Sequence, residues 1–109
     1  MSNAEGDAVP TIPMLIGGAW WAAAESYEVR DPYRGAVAAW APRSAQADLD
    51  DALDAAVAAK PVMAAMPGHR RAELLRRVSA ALAERAEDFA QTMSRETGKA
   101  IKDARAEVA

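Results

Sequence analysis

From Arg70 to Val108 the chain reads RRAELLRRVSAALAERAEDFAQTMSRETGKAIKDARAEV, an amphipathic helical run broken only at Thr97-Gly98-Lys99. An amphipathic helix must lay its apolar stripe on another surface, so this run dictates a helix-packing architecture. The material for a core is thin. Hydrophobic residues make up 51% of the chain, but most are alanine and there is one Phe. Alanine favours helix while burying little area, so the helices form readily and need a partner surface to hold them. With 109 residues the chain supports one small domain at most. The helical pattern reaches Ala109 without a Gly, Asn or Pro to cap it, and so reads as unfinished.

A net charge of −3 gives no drive toward nucleic acid or an anionic membrane. The absence of cysteine removes disulfides, thiolate metal ligands and thiol nucleophiles from these residues. No apolar run approaches the roughly 20 residues of a membrane span. The acidic opening MSNAEGDAVP is unlike a secretory or Arg-rich transit signal, which makes the cytoplasm the expected location. Ser2-Asn3-Ala4 reads equally well as native sequence or as a cloning remnant. Residues 1–13, small and bounded by Pro10 and Pro13, are expected to form a flexible arm.

Met14-Leu15-Ile16 is a short apolar strand closed by Gly17-Gly18, with Trp20 and Trp21 following. Tyr27 to Arg30 alternates apolar and polar, the period of a half-buried strand. Asp31-Pro32-Tyr33-Arg34-Gly35 carries turn chemistry, with Pro presetting φ and Gly available for positive φ. Ala36 to Ala41 reads as a further strand, and residues 14–41 together as an antiparallel meander. From Ser44, a candidate N-cap, the period becomes helical. Leu49, Leu53, Ala56 and Val57 share one face of a helix expected to stop at Pro61. Pro67-Gly68 opens the next helix, with Leu74, Leu75, Val78 and Leu82 as its buried stripe. A change of phase near Arg85–Glu87 starts another helix, and Gly98 suits its left-handed termination.

No catalytic constellation emerges from these residues. Gly17-Gly18 lacks the third spaced glycine and the following helix that a dinucleotide turn requires. Gly98-Lys99 lacks the upstream glycine of a phosphate loop, since position 93 is Met, and no hydroxyl residue follows for magnesium. His69 is the sole histidine and has no carboxylate or thiol partner nearby in sequence. Arg70-Arg71 and Arg76-Arg77 alternate with Glu73 and Glu84, the pattern of a solvated mixed-charge face.

Read in order, five segments nevertheless resemble one family. Ile16-Gly17-Gly18-Ala19-Trp20 is similar to the I-G-G-x-W opening of NAD(P)-dependent aldehyde dehydrogenases. Asp31-Pro32-Tyr33-Arg34-Gly35-Ala36-Val37 resembles their N-P-x-x-G-x-V turn, with Asp in place of the usual Asn. Residues 48–56 resemble the D-x-x-x-A-V-x-A-A helix, and residues 70–77 the R-x-x-L-L-R-R helix. Glu96-Thr97-Gly98-Lys99 with Ala104 to Val108 resembles the E-T-G-K…A-x-x-E-V segment. The likeness spans residues 14–109.

The resemblance implies an α/β fold with a Rossmann-type cofactor domain in the complete protein. Residues 14–109 would form the N-terminal, incomplete part of that domain: short antiparallel strands followed by three to four helices. It implies oxidation of an aldehyde to a carboxylic acid with NAD or NADP, through a cysteine thiohemiacetal and thioester. The nucleophilic Cys, the base Glu, the oxyanion Asn and the cofactor-binding glycines would all lie beyond Ala109, so no catalytic or cofactor-binding residue is assigned here. This chain alone is expected to bind no cofactor and to be inactive. The one functional site implied within it is a monovalent cation site formed by the Val29 carbonyl and Glu96. Implied partners are the remainder of the subunit, an aldehyde, and further copies in a homodimer or homotetramer, with neither nucleic acid nor membrane involved. A stand-alone, non-catalytic helical interaction module derived from the family is the alternative expectation.

Overall fold

The structure, a computed structural model, describes residues 8–109. Four short strands precede four helices: β1 (Met14–Ile16), β2 (Ala19–Trp21), β3 (Glu25–Arg30), β4 (Val37–Arg43), α1 (Gln46–Ala65), α2 (Gly68–Glu84), α3 (Ala86–Thr97) and α4 (Ile101–Val108). This is the strand-then-helix order expected from the resemblance. No helix among the described residues is long and apolar enough to cross a membrane.

The strands form two separate antiparallel pairs, β1–β2 and β3–β4, in place of the single meander expected over residues 14–41. Gly17 and Gly18 both hold positive φ (59° and 81°) in the two-residue turn that closes β1 onto β2. A turn of this type needs both central residues left-handed, which only glycine adopts without strain. The free edge of β4 is already occupied. Ile12 N–H donates to the Trp40 carbonyl at 2.9 Å, Trp40 N–H donates to the Pro10 carbonyl at 2.8 Å, and Thr11 bridges Trp40 in parallel. The C-terminal part of the segment expected to be a loose arm is thus tied to β4. Residues 1–7, including Ser2-Asn3-Ala4, lie outside the described residues.

The helix boundaries bring two corrections. Ala45, not Ser44, is the N-cap residue of α1, and the terminus is held by the Asp48 carboxylate accepting from Ala45 N–H at 2.7 Å. Alanine has no side-chain oxygen, so this is only the returning half of a capping box. The helix also passes through Pro61 to Ala65. Proline deprives the Val57 carbonyl of its donor but keeps a helical φ, and the remaining turn is held from outside. The Arg71 guanidinium donates to the carbonyls of Met63 (3.2 Å) and Met66 (3.0 Å), placing a cation at the negative end of α1.

α2 and α3 part at Arg85 (φ −112°, ψ 20°), where the sequence changes phase. α3 ends at Gly98 in the left-handed region (φ 74°), its N–H donating to the Ser94 carbonyl at 3.0 Å. α4 then folds back, and the pair is stapled by Arg105. Its Nε donates to Glu87 Oε2 at 2.9 Å and its Nη2 to Glu87 Oε1 at 2.8 Å. Two parallel charge-assisted bonds fix orientation as well as distance.

Among the described residues the buried core is small: Ala39, Ala90 and Ala104, with no large side chain fully enclosed. The accessible surface is 8818 Å², against about 5,800 Å² expected for a compact chain of this mass. The radius of gyration is 17.8 Å, where a compact domain of this length would have about 13 Å. The chain has its local structure and little of its own tertiary enclosure.

Candidate functional site

Two regions carry the features from which a function could be built. The first is α2. Leu74, Leu75, Val78 and Leu82 fall at helical spacing on one side, as their sequence positions predict. The expectation that they are buried fails within this chain: Leu75 is 70% exposed, Val78 56% and Leu82 40%. The reason is topological: among the described residues the main neighbour of α2 is α3, and only the end of α4, at Val108, borders its apolar side. Leu75, Val78, Leu82, Ala86 and Val108 line an open groove of about 530 Å³. Phe89, also exposed, lies beneath the Arg85 guanidinium at 5.5 Å from the ring centre. Exposed apolar side chains in such a row are the material from which interaction faces are built.

The second region is the turn after β3 where it meets α3. Asp31 is 8% exposed, and its Oδ1 accepts from the backbone N–H of Tyr33 at 2.8 Å and of Arg34 at 3.0 Å. Gly35 N–H closes the loop on the Asp31 carbonyl at 2.8 Å, and the Arg30 side chain donates to the Gly35 carbonyl at 2.8 Å. The Arg34 N–H bond, followed by that from Tyr33, holds the Asp31 carboxyl below its usual range, and the charges of Arg34 and Arg95 act in the same direction. Asp therefore does what Asn does in such a turn, while adding a negative charge. Pro32 of this turn packs against Gly98, where an added Cβ would stand 3.4 Å from the proline ring.

The two residues expected to hold a monovalent cation lie in this same part of the fold. Val29 pairs with Ala39 in the β3–β4 ladder, immediately before a register shift that leaves Ala38 out of step. Glu96, on α3, lines a pocket of about 130 Å³ together with Ile12, Ala38, Ala39 and Arg95. Glu96 and the strand partner of Val29 therefore share a pocket wall. Among the described residues no three His, Cys, Asp or Glu side chains cluster as a metal site. His69 sits exposed in the first turn of α2. Gly17-Gly18 forms the hairpin turn described above, so these residues do not fit a dinucleotide.

One grouping escaped sequence reasoning. Arg34 from the turn and Ser94 and Arg95 from α3 line a common pocket of about 270 Å³ with Asp31. Nothing in the linear order joins them; turn and helix meet where Pro32 packs on Gly98 and β3 lies against α3.

Set against known proteins, residues 20–109 match the model of the aldehyde dehydrogenase family. The chain is 44% identical over 85 residues to malonate-semialdehyde dehydrogenase 1 of Bacillus licheniformis, covering 78% of this chain and 18% of that protein. Its structure is similar to that of aldehyde dehydrogenase 21 from Physcomitrella patens, solved in complex with the reaction product succinate. There the TM-score is 0.89 and the identity 40%, covering 94% of this chain and 21% of that one. An NAD-dependent benzaldehyde dehydrogenase from Corynebacterium glutamicum superposes with a TM-score of 0.82 at 28% identity, covering 88% and 21%. The chain spans about a fifth of the length of the relatives it matches.

Proposed function

The chain belongs to the aldehyde dehydrogenase family, and on that premise we propose that it serves as the N-terminal part of an NAD(P)-dependent subunit oxidising an aldehyde to a carboxylic acid. The observation that carries this reading is the open apolar side of α2 in a chain spanning a fifth of its relatives. Residues 14–109 supply one flank of the cofactor-binding domain, and Leu74, Leu75, Val78, Leu82 and Phe89 are the side chains the remainder of the subunit covers. Burying such a leucine contributes about 1.5–3 kcal/mol, so this face is a strong anchor for a following domain.

The chemistry belongs to the rest of the subunit. In the family a cysteine thiolate attacks the aldehyde carbon, and this sequence has no cysteine. NAD or NADP accepts the hydride when bound, and the likeness to an NAD-dependent relative supports such a cofactor for the complete enzyme. The Val29 carbonyl and the Glu96 carboxylate form a monovalent cation site in this reading, supported by the pocket that Glu96 shares with Ala39. The complete enzyme works as a homodimer or homotetramer in the cytoplasm.

The test is reconstitution. The 109-residue chain is mixed with the separately expressed remainder of its reading frame, and NADH formation from propanal and NAD⁺ is followed. Turnover only when both pieces are present supports the proposal. Turnover by the 109-residue chain alone overturns it. A cooperatively unfolding, monodisperse chain with a natural stop after Ala109 replaces it with a free-standing helical interaction module.

A further inference from the structure

The geometry points to a carboxylate-binding pocket between the turn after β3 and α3, with Arg34, Ser94 and Arg95 as its donors. Neither guanidinium takes part in a salt bridge among the described residues. Arg30, Arg70, Arg85 and Arg105 each pair with a carboxylate, and among the arginines without a salt bridge Arg34 and Arg95 are the two that share a pocket wall. Two guanidinium groups outside any salt bridge, with Asp31 as their shared neighbouring charge, therefore border one concavity of about 270 Å³. Ser94 adds a hydroxyl, while the Gln91 amide on the same wall already donates to Glu87 at 2.8 Å.

Asp31 decides the class of ligand. Its carboxylate forms part of the wall, with Oδ1 committed to the turn's backbone N–H groups. Two positive charges and one negative leave the pocket with a single net positive charge. A monoanion neutralises it, whereas a dianion would also face repulsion from Asp31. Arginine offers a planar fork that matches a carboxylate, and two such forks favour that group over a spherical halide. The open concavity, about 270 Å³, has room for a short aliphatic monocarboxylate. The ligand class is thus a small monocarboxylate, held at a site that contains none of the residues assigned to oxidation chemistry.

The test needs no turnover, so its outcome is independent of the proposed oxidoreductase. Arginine Nε–H resonances of the isotopically labelled 109-residue chain are followed while sodium propionate is added at constant ionic strength, with chloride and inorganic phosphate in parallel titrations. The expected result is a saturable shift at Arg34 and Arg95, absent at Arg76 and Arg77 on α2, with phosphate weaker than propionate. Arg34→Gln and Arg95→Gln should each weaken the apparent affinity by about tenfold or more. Arg95→Lys retains the charge without the fork, so it gives a partial loss and serves as the second variant should Arg95→Gln lose helix. Equal shifts at every arginine, no saturation, or an unchanged titration of the remaining arginine in both single Gln variants would overturn the assignment.

Discussion

Truncation of Leu75 to alanine separates a face awaiting a partner from one that is simply solvated. In this chain Leu75 is 70% exposed, so at most three tenths of its side-chain burial is realised. A fully buried leucine contributes about 1.5–3 kcal/mol, and three tenths of that is roughly 0.5–0.9 kcal/mol. The higher helix propensity of alanine returns a few tenths. Leu75→Ala should therefore cost the 109-residue chain less than about 1 kcal/mol. In the complete subunit, with α2 covered, the same change leaves a cavity and should cost about 2–5 kcal/mol. Urea unfolding followed by far-UV circular dichroism gives both values, with equal slopes required before the midpoints are compared. A loss above about 2 kcal/mol in the short chain would mean that Leu75 is already enclosed there. A loss below about 0.5 kcal/mol in the subunit would mean that nothing covers α2. Either result refutes the docking face.

Three further outcomes follow from local features. Gly98→Ala forces a side chain into the left-handed region at φ 74°, beside Pro32, and should lower stability by about 1 kcal/mol, read as a fall in melting temperature. Glu87 has its carboxyl lowered from 4.5 to about 2, first by the Arg105 side chain and then by Gln91. Its folded value lies below the unfolded one, so the stabilisation is complete above 4.5 and fades as pH falls toward about 2. Glu87→Gln should flatten that part of a helicity-against-pH curve, and a curve that keeps the wild-type slope would dissociate Glu87 from the α3–α4 junction. Pro61→Ala restores a donor to the Val57 carbonyl inside α1 and should stabilise the chain by about 1–2 kcal/mol, after allowing for the looser unfolded state. A lower urea midpoint would show that the proline ring packs favourably where it is.

Local chemistry was legible in the residues. Glycine pairs, the Asp-Pro-x-x-Gly turn and the Gly98 terminus landed where their backbone requirements place them, because each rests on a conformation only certain residues adopt. The α2 stripe was legible as a pattern but not as buried surface, since periodicity tells which side is apolar and not what lies against it. Pro61 misled because its ring keeps a helical φ and removes only the bond to the Val57 carbonyl, while Arg71 donates to the Met63 and Met66 carbonyls from another helix. The pairing of β2 with β1, and of residues 10–12 with β4, depends on which strand edge is free. The pocket of Arg34 and Arg95 was invisible for the same reason: it forms where the turn after β3 packs on α3, with Pro32 against Gly98.

The uncovered side of α2 also has a consequence in time. A ribosome adds roughly 5–20 residues each second, N-terminus first. In a longer subunit, hairpins and the α3–α4 elbow can close as they emerge, because their contacts are near in sequence. There the leucines of α2 would wait for residues made later, and through that interval they would be a sticky surface on a nascent chain. Synthesis rate and chaperone occupancy over those seconds then govern the yield of soluble subunit. In such a subunit a codon change that slows later translation would reach the protein through α2, without altering a single side chain.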